Sequence, residues 1–162
     1  MKIFIIGKSG KGKTTFAKKL ANQVSGIHIE LPVLDINLYK EEPDISLLFL
    51  HREINKSNSL PVIDGIINPK DFIITFDPTS DLVILLNNHK AVSYEDKLDT
   101  GIDIIKKYME WQVVNLLISP KQFLNCSVLD FHCKECKGKL SESLFCCLDN
   151  LSDYILKNIL ES

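Results

Sequence analysis

The chemistry in this chain is concentrated first in residues 7 to 15, Gly7-Lys8-Ser9-Gly10-Lys11-Gly12-Lys13-Thr14-Thr15. The spacing GxxxxGK[ST] is that of a phosphate-binding P-loop: glycines let the backbone wrap with its N–H groups turned inward. The lysine then reaches the terminal phosphates, and the hydroxyl of the last residue can ligate Mg²⁺. Lys13 and Thr14 are the expected phosphate and Mg²⁺ contacts, and Lys8 and Lys11 add positive charge or are simply solvated. A Cβ at Gly7 or Gly12 is expected to spoil the wrap. A nucleoside triphosphate is the ligand this pattern calls for.

Three further groups of residues carry chemistry. Asp35 and Asp64 each follow an apolar, extended run, and Gly65 follows Asp64 directly. A carboxylate so placed can face a phosphate or its metal; otherwise Asp35 caps a helix or turn and Asp64-Gly65 makes an Asp-Gly turn. Arg52 is the one arginine among nineteen Lys and Arg residues, and it is the candidate for gripping a substrate phosphate or carboxylate. Cys133 and Cys136 form a CxxC pair, half of a Zn²⁺ signal, with Cys146 and Cys147 further on. Those last two read as neighbours on a helix, where they point in different directions, so the reading favours buried cysteines over zinc.

The elements that must position these groups alternate along the chain. Ile3-Phe4-Ile5-Ile6 is a strand running into the loop, and Phe16, Ala17, Leu20, Ala21 and Val24 recur at helical spacing after it. Residues 27 to 34 form a second extended run, and a helix is expected from Pro43 to Ile54 with Leu47, Leu48, Leu50 and Ile54 on its buried side. Residues 60 to 65 are a third strand, and 82 to 86 a fourth, wholly apolar strand suited to a covered parallel sheet. A helix from Gly101 to Ile118 carries Ile102, Ile105, Met109, Val113 and Leu116 on one side. Residues 127 to 131 read as the last strand, and Leu144, Leu148, Leu151, Ile155 and Ile159 make 140 to 160 a C-terminal helix.

Strand-helix alternation of this kind predicts an α/β class: a three-layer P-loop fold with a mostly parallel, roughly five-stranded sheet and ligands at the carboxyl strand ends. One domain is expected over residues 1–162, with a small lid or insert at 88–100 and a Cys-rich segment at 126–147. A net charge of −2 gives no support to nucleic-acid binding. No apolar run is long enough to span a bilayer, and Met1-Lys2 leads straight into the first strand. A cytoplasmic location follows, and the five cysteines then read as reduced.

Guanine-specific motifs do not accompany the loop: Asn68-Pro69-Lys70-Asp71 and Asn87-Asn88-His89-Lys90 lack the NKxD order. Residues 3–15, the segment Leu34-Asp35-Ile36-Asn37-Leu38-Tyr39 and Val62-Ile63-Asp64-Gly65 together resemble the P-loop nucleoside monophosphate kinase superfamily. Within it the resemblance is to the adenylate-kinase-like DNA topology modulation proteins, over roughly residues 1 to 118. It implies an ATP-dependent phosphotransferase acting on a nucleotide, nucleoside or similar hydroxyl acceptor. Lys13 would neutralise the transferring phosphate, Thr14 and Asp64 would serve Mg²⁺, and Asp35 would face the acceptor as its base. Such kinases carry lid arginines; this chain has His89, Lys90, Lys97, Lys106 and Lys107 in that region. The rival reading is a regulatory or nucleic-acid-associated protein that binds ATP with little turnover. In the related kinases the loop after the last strand borders the adenine, which gives residues 133 to 138 a second possible role.

Overall fold

The computed structural model describes residues 1–7, 12–31, 45–65, 69–87, 96–130 and 133–160, and of residues 45–47, 96–100 and 130 the backbone alone. Strands β1 (Ile3–Ile6), β2 (Ile27–Glu30), β3 (Pro61–Asp64), β4 (Leu82–Leu86), β5 (Phe123–Asp130), β6 (Lys139–Ser141) and β7 (Leu144–Cys147) form one sheet. Its order is β2-β3-β1-β4-β5-β7-β6. Every described pairing is parallel except that of β6 with β7. The helices are α1 (Lys13–Gln23), α2 (Ile45–Asn55), α3 (Pro69–Thr75), α4 (Asp96–Val114) and α5 (Leu148–Ile155), the last continuing as a π-helical turn to Leu160.

Helix placement follows from chain direction. From β1 the chain moves past β3 to reach β2, whereas from β2, β3 and β4 it moves the opposite way. Right-handed crossovers therefore put α1 on one face and α2, α3 and α4 on the other. The two cores show this division. Ile3, Ile5, Val62, Leu82, Ile84 and Leu86 pack under Phe16, Ala17 and Leu20 of α1 and Leu148, Leu151 and Ile155 of α5. Phe4, Ile6, Ile63, Val83 and Leu85 alternate to the other face and meet Leu50, Phe72, Phe76, Ile105 and Met109. Phe72 is the hub there, with its ring centroid 5.2 Å from Phe4, 5.4 Å from Phe76 and 6.3 Å from Tyr108.

Several expectations need correction. The sheet has seven strands rather than about five, because β6 and β7 form a hairpin where the start of a C-terminal helix was expected. Helical spacing of leucines misled there: Phe145, Cys146 and Cys147 are consecutive buried residues, a strand pattern, and β7 pairs with the end of β5. The helix begins only at Leu148. α4 begins at Asp96, before the expected Gly101, and ends at Val114. Leu116, expected on its buried side, lies beyond it at φ 59° and is 89% exposed. β5 starts at Phe123, four residues before the expected Ser127. Leu48 of α2 is exposed, and Leu50 carries the buried contact. α3, which the sequence reading passed over, supplies Phe72.

Opposite the carboxyl edge, the buried Asp81 closes the sheet by accepting from the backbone N–H groups of Lys2 (2.7 Å) and Asp77 (2.8 Å). Lys2 Nζ completes it at 2.9 Å. No helix among the described residues is long and apolar enough to cross a membrane.

Candidate functional site

β1 ends at Ile6, and Gly7 follows with its backbone against β4: a Cβ there would meet the carbonyl oxygen of Leu86 at 2.4 Å. That close approach is why the position is glycine. The chain leaves β1 toward the α1 face, while both neighbouring strands, β3 and β4, send it to the other face. The crevice of an α/β sheet opens at such a divergence, so Gly7 lies at a topological switch point.

α1 opens at Gly12, which has φ −98° and ψ −27°, values open to any residue, so steric freedom at Gly12 is not demanded by this conformation. No acidic residue lies in the first turn and no side chain caps it. With no acidic residue there to offset it, the helix dipole favours an anion at this end. Lys13 is 8% exposed and donates from Nζ to the Gly7 carbonyl oxygen at 2.7 Å. Burial pushes its amine below the ordinary lysine value, with the neighbouring Asp64 carboxylate opposing. A cation held out of water beside a helix N-terminus gains from a bound anion.

Asp64 is 3% exposed and ends β3, immediately beside β1. The pleat fixes its direction: Val62 and Asp64 lie on the same face, and Val62 packs in the α1 core. Thr14 Oγ1 donates to Asp64 Oδ1 at 3.2 Å, and His28 of β2 binds Asp64 Oδ2 through Nε2. His28 reaches it because it pairs with Val62, two residues before Asp64 and on that face. Nothing in the sequence reading singled out His28. Only the β2–β3 register, which joins residues 36 apart, reveals it.

Gly65 follows at φ +115°, where a Cβ would lie 2.9 Å from both the Cβ and the carbonyl oxygen of Leu31. Glycine is required on both grounds. Thr15 is exposed in the first turn of α1. Lys8, Ser9, Gly10, Lys11 and Asp35 lie outside the described residues, as do His89 and Lys90.

Arg52 is not brought to this group. It stands in the last turn of α2, the end that leads to the start of β3, and is 69% exposed with Nη2 3.7 Å from Glu53 Oε1. Lys106 lies 3.9 Å from Glu110 on α4, and Lys107 is exposed.

The residues present fit a phosphate chain and a hard divalent cation. Lys13 and the start of α1 suit the anion, and the Thr14 hydroxyl and Asp64 carboxylate are the oxygen donors Mg²⁺ prefers. Asn87, just past β4, donates its side-chain amide to Asn125 Oδ1 of β5 and adds a polar pair near this edge.

A second cluster lies at the same edge of the sheet, at the ends of β5 and β7. Cys133 and Cys136 converge on Cys146 and Cys147, with all four sulfurs within 4.8 Å of one another. Because Cys146 and Cys147 belong to a strand and its junction with α5, the expectation that a helix would separate them fails. Hydrogen bonding with Cys147, then burial, push the Cys133 thiol up to about 12. Burial also raises Cys146, but hydrogen bonds with Cys136, Cys133 and Cys147 and with the Gly138 backbone outweigh it and bring that thiol to about 7. No protein-family model matches the chain, and no curated protein matches it.

Proposed function

We propose that the protein is an ATP-dependent small-molecule phosphotransferase with a three-layer P-loop fold of the nucleoside monophosphate kinase type. The observation that carries this reading is the meeting of Lys13, Thr14 and Asp64 at the carboxyl ends of two adjacent parallel strands. Mg²⁺, when bound with ATP, supplies charge neutralisation to the phosphate chain. Thr14 and Asp64 are the residues to hold it, directly or through its water shell. Lys13 holds the terminal phosphates and offsets the charge that moves in transfer. His28 keeps the Asp64 carboxylate turned toward α1. Asp35 receives the acceptor hydroxyl on the strength of the sequence resemblance alone.

A second reading has its own support. The chain's single arginine faces solvent on α2 beside Glu53, so no described guanidinium grips the transferring group. That favours an ATP-binding regulatory or nucleic-acid-associated protein with little turnover.

One experiment separates the two. The protein is incubated with ATP, Mg²⁺ and a panel of nucleosides, nucleoside monophosphates and small sugars, and ADP release is followed. Acceptor-dependent release that Lys13→Ala abolishes supports the phosphotransferase. ATP binding without release for any acceptor supports the regulatory protein, and unaltered ATP binding by Lys13→Ala overturns both.

A further inference from the structure

The cysteine cluster is independent of the P-loop reading. Cys133 and Cys136 follow the end of β5, and Cys146 and Cys147 close β7, whose Cys147 lies in register with Asp130 of β5. Two parallel strands thus deliver a CxxC loop and a Cys-Cys pair to one spot. Cys133 Sγ is 3.7 Å from Cys146 Sγ, Cys136 Sγ is 3.3 Å from it, and Cys147 Sγ is 3.7 Å from it. Four thiolates around a metal at about 2.3 Å form a tetrahedron with edges of about 3.8 Å. The observed separations are close to that edge and far above a disulfide bond of about 2.0 Å.

We propose that Cys133, Cys136, Cys146 and Cys147 form a closed, structural tetrathiolate site for one Zn²⁺ ion. Zinc suits it better than a metal with strict angular demands, because a d¹⁰ ion tolerates the spread of sulfur separations. Each thiol that binds gives its proton to solvent, leaving a thiolate as ligand. Gly138 supplies the surroundings such a site needs: at φ +77° its backbone hydrogen-bonds the sulfurs of Cys136 and Cys146, and its carbonyl accepts from Cys146 N at 3.1 Å. The CxxC loop itself carries two exposed lysines, Lys134 and Lys137, against one exposed glutamate, Glu135, so its net charge opposes that of four thiolates on a dication.

The segment also has a reason to need the metal. β6 is three residues long and exposed throughout, and residues 134–137 are all exposed. A three-residue edge strand and a loop with so little apolar cover are poorly held by packing alone. Zinc would tie the loop after β5 to β7 and to the start of α5.

The test uses the full chain purified without added metal. Elemental analysis should find about one zinc per chain, Cys136→Ser should weaken zinc retention against a competing chelator by roughly 100-fold, and Cys126→Ser should retain it. Cobalt(II) added to chelator-treated protein should give the intense visible bands of a tetrahedral cobalt thiolate. That measurement on the unaltered chain holds even if Cys136→Ser fails to fold. Stoichiometric iron, a disulfide among the four cysteines of freshly purified protein, or only the weak spectrum of octahedral cobalt overturns the proposal. Equal loss of zinc in a folded Cys126→Ser variant overturns it as well.

Discussion

Thr14 and Asp64, fifty residues apart, are joined by a hydrogen bond of 3.2 Å between the first turn of α1 and the end of β3. The bond exists because β3 lies directly against β1 in parallel, and because the pleat turns Asp64 to the face that α1 covers. It sets a buried carboxylate against the hydroxyl of Thr14 at the first turn of α1.

Asp64→Asn keeps the shape and the Thr14 contact but removes the charge. ADP release with Mg²⁺ is expected to fall roughly 100-fold or more, while the circular dichroism spectrum is unchanged. A variant that keeps half of the wild-type rate would remove Asp64 from the reaction.

Lys13 strains the ligand-free protein. Its folded-state pKa lies below the ordinary lysine value of 10.5, chiefly through burial. The unfolded chain therefore holds more protons between the two values, and this group's contribution makes stability rise as pH climbs through that window. Below the folded-state value the full cost of burying the charge applies. Because desolvation outweighs the attraction of Asp64 at this amine, Lys13→Met is expected to raise the unfolding free energy of the ligand-free protein and to abolish stabilisation by ATP. The gain over wild type should shrink toward pH 10.5; a gain constant with pH would show that the lysine charge is not its source.

His28 holds the second oxygen of Asp64. His28→Ala leaves Asp64 in place but free to turn, so the Mg²⁺ concentration for half-maximal activity should rise about tenfold. His28→Asn, which can still donate, should recover part of it. If both variants have wild-type Mg²⁺ dependence, His28 has no positioning role.

Gly65→Ala puts a Cβ at φ +115° and within 2.9 Å of the Leu31 backbone oxygen. A loss of about 1–3 kcal/mol in unfolding free energy is expected. Urea denaturation would detect it; a loss under 0.5 kcal/mol would mean that the turn relaxes at little cost.

Burial pushes the Cys126 thiol up to about 12, so it stays protonated and unreactive at pH 8. In chelator-treated native protein, iodoacetamide should label the exposed Cys136 within the time that Cys126 remains unmodified, as read by peptide mass. Rapid labelling of Cys126 would show that this part of the core opens readily.

The strand at Ile3–Ile6, the helix at Lys13–Gln23 and the apolar strand at 82–86 were legible in the sequence, because each rests on contiguous residues whose periodicity is local. Lys13 and Thr14 were legible for the same reason, and Asp64 was visible at the end of an apolar run. What Asp64 touches was not. His28 becomes its partner only through the register of β2 on β3, and Arg52 is carried away from the site by the direction of α2.

The cysteines mark the same boundary most sharply. Local spacing gave one CxxC pair and placed Cys146 and Cys147 on a helix, since leucines at 144, 148 and 151 fit a helical period. Parallel pairing with β5 overrides that period, makes residues 144 to 147 a strand, and brings four sulfurs together. A short apolar run suits a buried strand or a helix equally well, and the choice falls to a partner strand seventeen residues earlier in the chain, as Ser127 pairs with Leu144. Motif and periodicity are set by neighbours along the chain; register, sheet order and the clustering of side chains are set by neighbours in space.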